Sequence, residues 1–317
     1  MPSWFGPDCG LMSAILYTIA NIALRKCVGL DAYLVSSVKA APTVLCLAPI
    51  LVWRFSTPSQ HEKQASQTSS PSQRPHPLWQ FLLASFFAQF FGNAAFQKAL
   101  GYIGLAASVP ITLGTLIVGG AVLGAILLGE PVGRRKLVAM MTLIIAVIIL
   151  SLPRSESALP DEPVSATGIL VGSLWAAVSG LSYSFFGVTM RKTLHRGYRA
   201  SELMFISGLT GTVTLWAYTF AVTGWTTVAA TSADQWLMMS AAGLFNFLAF
   251  IAITSALRHL PVVAVNLINA SQVAMAAAAG VMLFGEPVTW ALTIGIGLTF
   301  VGLLILARRT RAVVAIT

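Results

Sequence analysis

Lys39 sits in the run Ser36-Ser37-Val38-Lys39-Ala40-Ala41, inside a long apolar stretch. A charge placed there costs about 2.5 kcal/mol or more on entering a bilayer. Two arrangements relieve that cost. The ammonium faces a polar cavity, where it would attract an anionic or zwitterionic group such as an amino-acid carboxylate. Alternatively, the long stem carries it to the interface. Arg25 and Lys26 close the preceding apolar stretch on the same side, either as a positive vestibule or as flanking charges. Asn266, Asn269 and Gln272 fall on successive turns of one later stretch, where they could donate and accept hydrogen bonds from a solute. Asn21, Gln89, Asn93, Gln97 and Asn246 are also buried in apolar sequence and need partners, either a solute path or a neighbouring helix. Tyr17, Trp175 and Tyr183 offer flat faces with a polar edge, suited to gripping a metabolite or to packing.

The tetrapeptide Gly-Glu-Pro-Val occurs twice, at Gly129–Val132 and Gly285–Val288. Pro131 and Pro287 cannot continue a helix without losing a backbone hydrogen bond, so each starts the next one. Glu130 and Glu286 would then sit near the positive end of that next helix. The expectation for Glu130, Pro131, Glu286 and Pro287 is a structural hinge at a helix end, with proton coupling by the two glutamates as the other reading. The acidic residues all lie in predicted loops or at the ends of apolar stretches, and no P-loop or His-Glu-x-x-His pattern occurs. The four histidines fall in predicted loops or at the edges of apolar stretches, and Cys9, Cys27 and Cys46 lack metal-ligand spacing. No metal site, cofactor or catalytic residue is therefore expected. An integral membrane enzyme acting on a lipid-linked substrate is the alternative, but it needs an acid, histidine or metal constellation. A receptor or scaffold would more naturally carry a folded domain outside the membrane.

These residues must be positioned by membrane helices. Of 317 residues, 56% are hydrophobic and 9% charged, against about 25% charged in a soluble domain. The apolar runs are long and continuous, unlike the roughly ten-residue alternating segments of a β-barrel. The net charge of +9 comes from basic residues clustered between apolar runs, which points to orientation in a bilayer and away from nucleic acid. No basic region precedes the first apolar stretch, so no cleaved signal peptide is expected. Ten candidate spans cover 6–24, 32–53, 78–97, 104–128, 133–152, 166–189, 201–223, 235–256, 261–284 and 289–307. Ser56–Pro77, rich in Ser, Gln and Pro, reads as a disordered or loosely ordered loop, and Arg154–Pro163 as a polar connector. With the N-terminus inside, fourteen Lys and Arg fall in inside loops and four outside, with Lys39 within a span, so both termini are expected in the cytoplasm.

Five spans per half is an odd number, so the second half would enter the membrane upside down. The expected fold is all-α and polytopic: ten transmembrane helices as two inverted five-helix repeats, residues 1–152 and 166–317. Such an arrangement suits alternating access around a central site. Ala99-Leu100 and Ala256-Leu257 precede matching apolar spans, which extends the repeat beyond the tetrapeptide. Gly120 with Gly124, and Gly168 with Gly172, have the small-xxx-small spacing that lets helices approach. Pro42 and Pro110 should kink their spans, or let the halves rock.

Ten spans with Gly-Glu-Pro ending the fourth and ninth resemble the drug/metabolite transporter superfamily, specifically its EamA-type members. Asn21-Ile22-Ala23-Leu24-Arg25 resembles the family's first-helix pattern, and Lys39 stands where many members carry Arg. Ala99-Leu100-Gly101-Tyr102 resembles the turn before the fourth helix, and Gly180-Leu181-Ser182-Tyr183 the sixth-helix signature. The resemblance covers essentially the whole chain, making each half an EamA-like repeat. It departs at Ala256-Leu257-Arg258-His259, which lacks the tyrosine, and in having no glutamate in the first helix such as the small multidrug relatives use. It implies a secondary-type transporter or facilitator that exports a small organic metabolite, amino-acid-like or drug-like. Lys39, Arg25, Asn21, Tyr183, Asn266, Asn269 and Gln272 would line its solute site. The partners implied are the solute and the lipid bilayer, with a homodimer left open, and the expected location is a bacterial inner membrane.

Overall fold

The computed structural model describes residues 5–56, 78–129, 133–152, 166–194, 196–259, 265 and 268–307. Among them the secondary structure is helical. In chain order the elements are α1 (Phe5–Lys26), α2 (Ala32–Ser56), α3 (Trp79–Phe86) running on through a π-helical turn at Phe87–Asn93, and α4 (Ala94–Leu128). They continue with α5 (Arg134–Leu150), α6 (Ala166–Leu194), α7 (Ala200–Tyr218) with a second π-helical turn at Thr219–Thr223, and the short α8 (Trp225–Ala229). The last are α9 (Ala233–His259), α10 (Ser271–Phe284) and α11 (Trp290–Ala307). Among the described residues, six helical stretches are long and apolar enough to cross a membrane. Leu45, Trp53, Ile126, Ile148 and Met282 stand exposed on the outside, as lipid-facing side chains should. The chain is an all-α, multi-pass integral membrane protein.

The stretch Trp79–Leu128 runs as 50 residues of near-continuous helix, but it is two helices. Gly104 has φ 74° and ψ −178°, which no helix accommodates, and the chain reverses there. Neighbours on α6 establish the reversal. Asn93 meets Tyr183, and Tyr102 and Ile103 lie over Gly172, so the arm before Gly104 runs against α6. Thr112 donates to the Ala176 carbonyl, Thr115 lies on Gly180 and Ser184 on Gly119, so the arm after it runs with α6. Each arm has roughly two dozen residues, about 36 Å of helix at 1.5 Å per residue, enough for a span of its own. The sequence boundary at 97/104 therefore falls at the observed break, the first arm extending a few residues further.

Glycine makes this packing possible. A Cβ at Gly172 would lie 2.6 Å from that of Tyr102, and one at Gly119 would lie 2.6 Å from Ser184 Oγ. At Gly180 it would collide with Thr115 and the Thr112 carbonyl. In lipid no hydrophobic force drives helices together, so close backbone contact carries the association. Gly120, expected to serve such a contact, instead faces open space; its neighbour Gly119 points into the α4–α6 seam.

The same economy operates between the other helices. α1 packs along α9 and α10, α2 along α7 and α9, and α5 along α11. Gly243 on α9 lies against the Lys39 carbonyl and the Pro42 ring of α2. Pro42 lacks the N–H that would bond the Val38 carbonyl, and it packs on Gly243. The largest buried cluster joins Leu24, Leu34, Val38, Leu100, Leu105 and Met239 from α1, α2, α4 and α9.

Both copies of Gly-Glu-Pro-Val end a helix. Gly129 (φ 66°) and Gly285 (φ 63°) adopt the left-handed conformation after α4 and α10. At the second copy the Gly285 N–H donates to the Val281 carbonyl at 3.2 Å, an αL closure that favours glycine, and the Glu286 N–H donates to the Gly280 carbonyl at 3.0 Å. Glu130 and Pro131 lie outside the described residues.

Candidate functional site

The π-helical turn at Phe87–Asn93 widens the helix by one residue per turn. Such turns recur at functional sites because they aim side chains that an α-helix would bond to itself or turn away. Here they aim Gln89 and Asn93 into the bundle. Asn93 Nδ2 donates to Gln89 Oε1 at 2.7 Å, and Gln89 Nε2 donates to Ser207 Oγ on α7 at 3.0 Å. Gly211, one turn on along α7, leaves room for the Gln89 stem.

Asn93 is the hub. Its Oδ1 accepts from Lys39 Nζ at 2.9 Å and from the Tyr183 hydroxyl at 2.5 Å. Lys39 is only 6% exposed and Asn93 7%, so the ammonium has not snorkelled to the interface. About seven residues of helix, roughly 10 Å, separate it from the start of α2. Of its three N–H donors, one is engaged by Asn93, and among the described residues no carboxylate lies within ion-pair reach. The site thus gathers α2, the π-turn, α6 and α7 around one positive charge with a neutral partner. An isolated buried ammonium is costly, and an arriving anion relieves that cost.

A second polar cluster forms at the end of α1. Arg25 Nε donates to Glu286 Oε1 at 3.1 Å, both side chains deeply buried. The Glu286 carboxylate also accepts the Leu105 N–H (2.6 Å) and the Ala106 N–H (2.8 Å), the first free donors after the break at Gly104. Glu286 was expected at the start of its own following helix. That helix, α11, is instead met by Thr289, whose hydroxyl accepts the Leu292 N–H. The carboxylate caps the second arm of α4, because a helix start left open by Gly104 offers unpaired donors beside a buried guanidinium. Pro287 follows half-buried in the link to α11.

Of the residues singled out in the sequence, Lys39 and Tyr183 come together through Asn93, while Arg25 belongs to the Glu286 cluster. Asn269 and Gln272 bond each other, Gln272 Nε2 donating at 2.6 Å. Asn21 is half-buried on α1. Asn266 lies outside the described residues. Gln97 donates to the Leu24 carbonyl, tying the first arm of α4 to α1. Trp175 carries the Lys98 ammonium 4.5 Å above its ring, with Tyr33 on another side at 5.3 Å. A cavity of about 390 Å³ opens beside them, lined by Gly29, Asp31, Gln97, Lys98 and Tyr102 among others. Asn93 and Gln89 are the functional candidates that sequence reasoning left among the interhelical contacts. Their four-residue spacing beside a later tyrosine was the available signal.

Residues 170–308 match the model of the EamA-like transporter family. No curated protein matches the chain. A solved structure titled only "Crystal structure of protein" superposes with a TM-score of 0.59 at 16% identity, over 97% of each chain. At that identity it speaks for the fold alone. That match to the EamA-like transporter family, confined to the second half of the chain, supports membership of the protein in the drug/metabolite transporter superfamily.

Proposed function

We propose that the protein is a secondary transporter or facilitator that exports a small organic metabolite by alternating access between two inverted five-helix repeats, residues 1–152 and 166–317. The solute's anionic group, in an amino-acid-like or drug-like molecule, docks on Lys39. The observation that carries this is the buried Lys39 ammonium, held by Asn93 at a junction of helices from both halves, with no carboxylate within ion-pair reach among the described residues. Asn93, Gln89 and Tyr183 fix its position and offer further hydrogen-bonding groups.

Packing supports the repeat. Numbering the spans in order, the arms of α4 with α6 exchange with α9 and α10 against α1 when the halves are swapped. The contacts α2–α7, α5–α11 and α4–α10 map onto themselves. A pseudo-two-fold relation between the halves gives that pattern, an odd number of spans per half would put its axis in the membrane plane, and solute sites of such transporters lie on the seam. The distribution of Lys and Arg supports cytoplasmic termini, and the length and simplicity of the chain fit a bacterial inner membrane.

The test is solute flux in reconstituted vesicles, with carboxylate-bearing amino acids, their uncharged amides, cationic drugs and sugar phosphates, each with and without a pH gradient. Saturable flux of anionic or zwitterionic solutes, lost in the amides, is expected. Equal flux of a carboxylate and its amide would remove Lys39 from solute recognition.

A further inference from the structure

Arg25 and Glu286 are 261 residues apart and join the end of α1 to the link between α10 and α11. Each is less than a tenth exposed. The arrangement is more elaborate than an ion pair. Glu286 spends both carboxylate oxygens on the Leu105 and Ala106 N–H groups while one also takes the guanidinium. Arg25 lies over the Phe284 ring, 5.5 Å from its centroid. Two glycines keep the seat open. A Cβ on Gly104 would lie 2.5 Å from Glu286 Oε1, and one on Gly280 would lie 2.5 Å from Oε2. Three chain segments that approach the same end, α1, the break in α4 and the α10–α11 link, are thus tied through one carboxylate.

Such a tie is bistable. Seated, the carboxylate satisfies two helix-start donors and a buried cation at once. Half-withdrawn, it leaves a charge and two N–H groups buried without partners, which is costly on every side. The alternative to the closed seat is therefore a hydrated, open one, with little between them. We propose that Arg25, Glu286 and the Leu105–Ala106 backbone form a latch that holds this end of the passage shut and is released once in each transport cycle. The proposal rests on the alternating-access reading above. It adds the residues that keep one gate closed. Cys27 reports on the latch: it is buried two residues beyond Arg25, in the same cluster as Leu24, Leu34 and Leu105.

The experiment uses the full chain with Cys9 and Cys46 replaced by alanine, reconstituted in vesicles, and reads alkylation of Cys27 by a membrane-impermeant maleimide. Glu286→Gln keeps the shape but removes the charge, and alkylation is expected to rise about tenfold or more while the protein stays folded. Arg25→Gln, which breaks the tie from its other end, should do the same. The double exchange Arg25→Glu with Glu286→Arg should not restore slow alkylation, because an arginine cannot accept the Leu105 and Ala106 N–H groups. Unchanged alkylation in either folded single variant overturns the proposal, as does full restoration by the exchange. If neither single variant folds, the tie is a staple of the fold and the proposal is likewise overturned. No solute enters this measurement, so its failure leaves the Lys39 site standing, and an inert Lys39 leaves the latch standing.

Discussion

Lys39 donates to the Asn93 amide oxygen, and on the proposed mechanism the same ammonium takes the solute's anionic group. Replacing Lys39 by alanine should lower flux of a carboxylate solute by about tenfold to a hundredfold, the range of a charge-assisted hydrogen bond. Arginine at the same position should retain a measurable part of it. Vesicle flux, with the unfolding midpoint as a control, checks both. Tyr183→Phe removes a donor to Asn93 while leaving the ring, so solute affinity should fall about threefold to tenfold with little change in stability. Cys27 gives a pH signature. It lies between α1 and α2, and burial pushes its thiol up to about 11. Only the thiolate reacts, so its alkylation should still be climbing about tenfold per pH unit between pH 9 and 10. An ordinary exposed thiol, with a pKa of about 8.5, has levelled off by then. A plateau at pH 9 would show an exposed thiol in place of the buried one.

At the scale of elements, the seam between α4 and α6 rests on glycines. Gly180→Val should destabilise the protein by about 1–3 kcal/mol through overpacking against Thr115, seen as a lower unfolding midpoint. Gly120→Val, which meets open space, should leave it nearly unchanged. The sequence separated the spans around Gly104 correctly because composition alone divides apolar runs of bilayer length. It could not choose between Gly119 and Gly120, since spacing does not say which side of a helix meets a neighbour. Lys39 stood out because a charge in an apolar run admits few explanations. Asn93 did not, because a buried amide is ordinary until a lysine and a tyrosine are found sharing its oxygen. The partners of Glu286 were beyond reach for a related reason: two are backbone N–H groups about 180 residues earlier, exposed only because Gly104 breaks a helix.

For the whole molecule, the all-α multi-pass architecture follows from so few charges spread among such long apolar runs. What folding adds is adjacency. Helices from the two halves surround Lys39, and Arg25 meets Glu286 across them. A five-plus-five arrangement places both termini on one face, so tags at residues 1 and 317 should be digested together from the cytoplasmic side. Digestion from opposite faces would end the inverted repeat. On the proposed mechanism the Lys39–Asn93–Tyr183 cluster opens to each side of the membrane in turn. Ser207→Cys, at the edge of that cluster in an otherwise cysteine-free chain, tests it most directly through labelling by a membrane-impermeant thiol reagent. Alternating access gives labelling from either face and slower labelling when transported solute is present. Labelling confined to one face, whatever the solute, would contradict it.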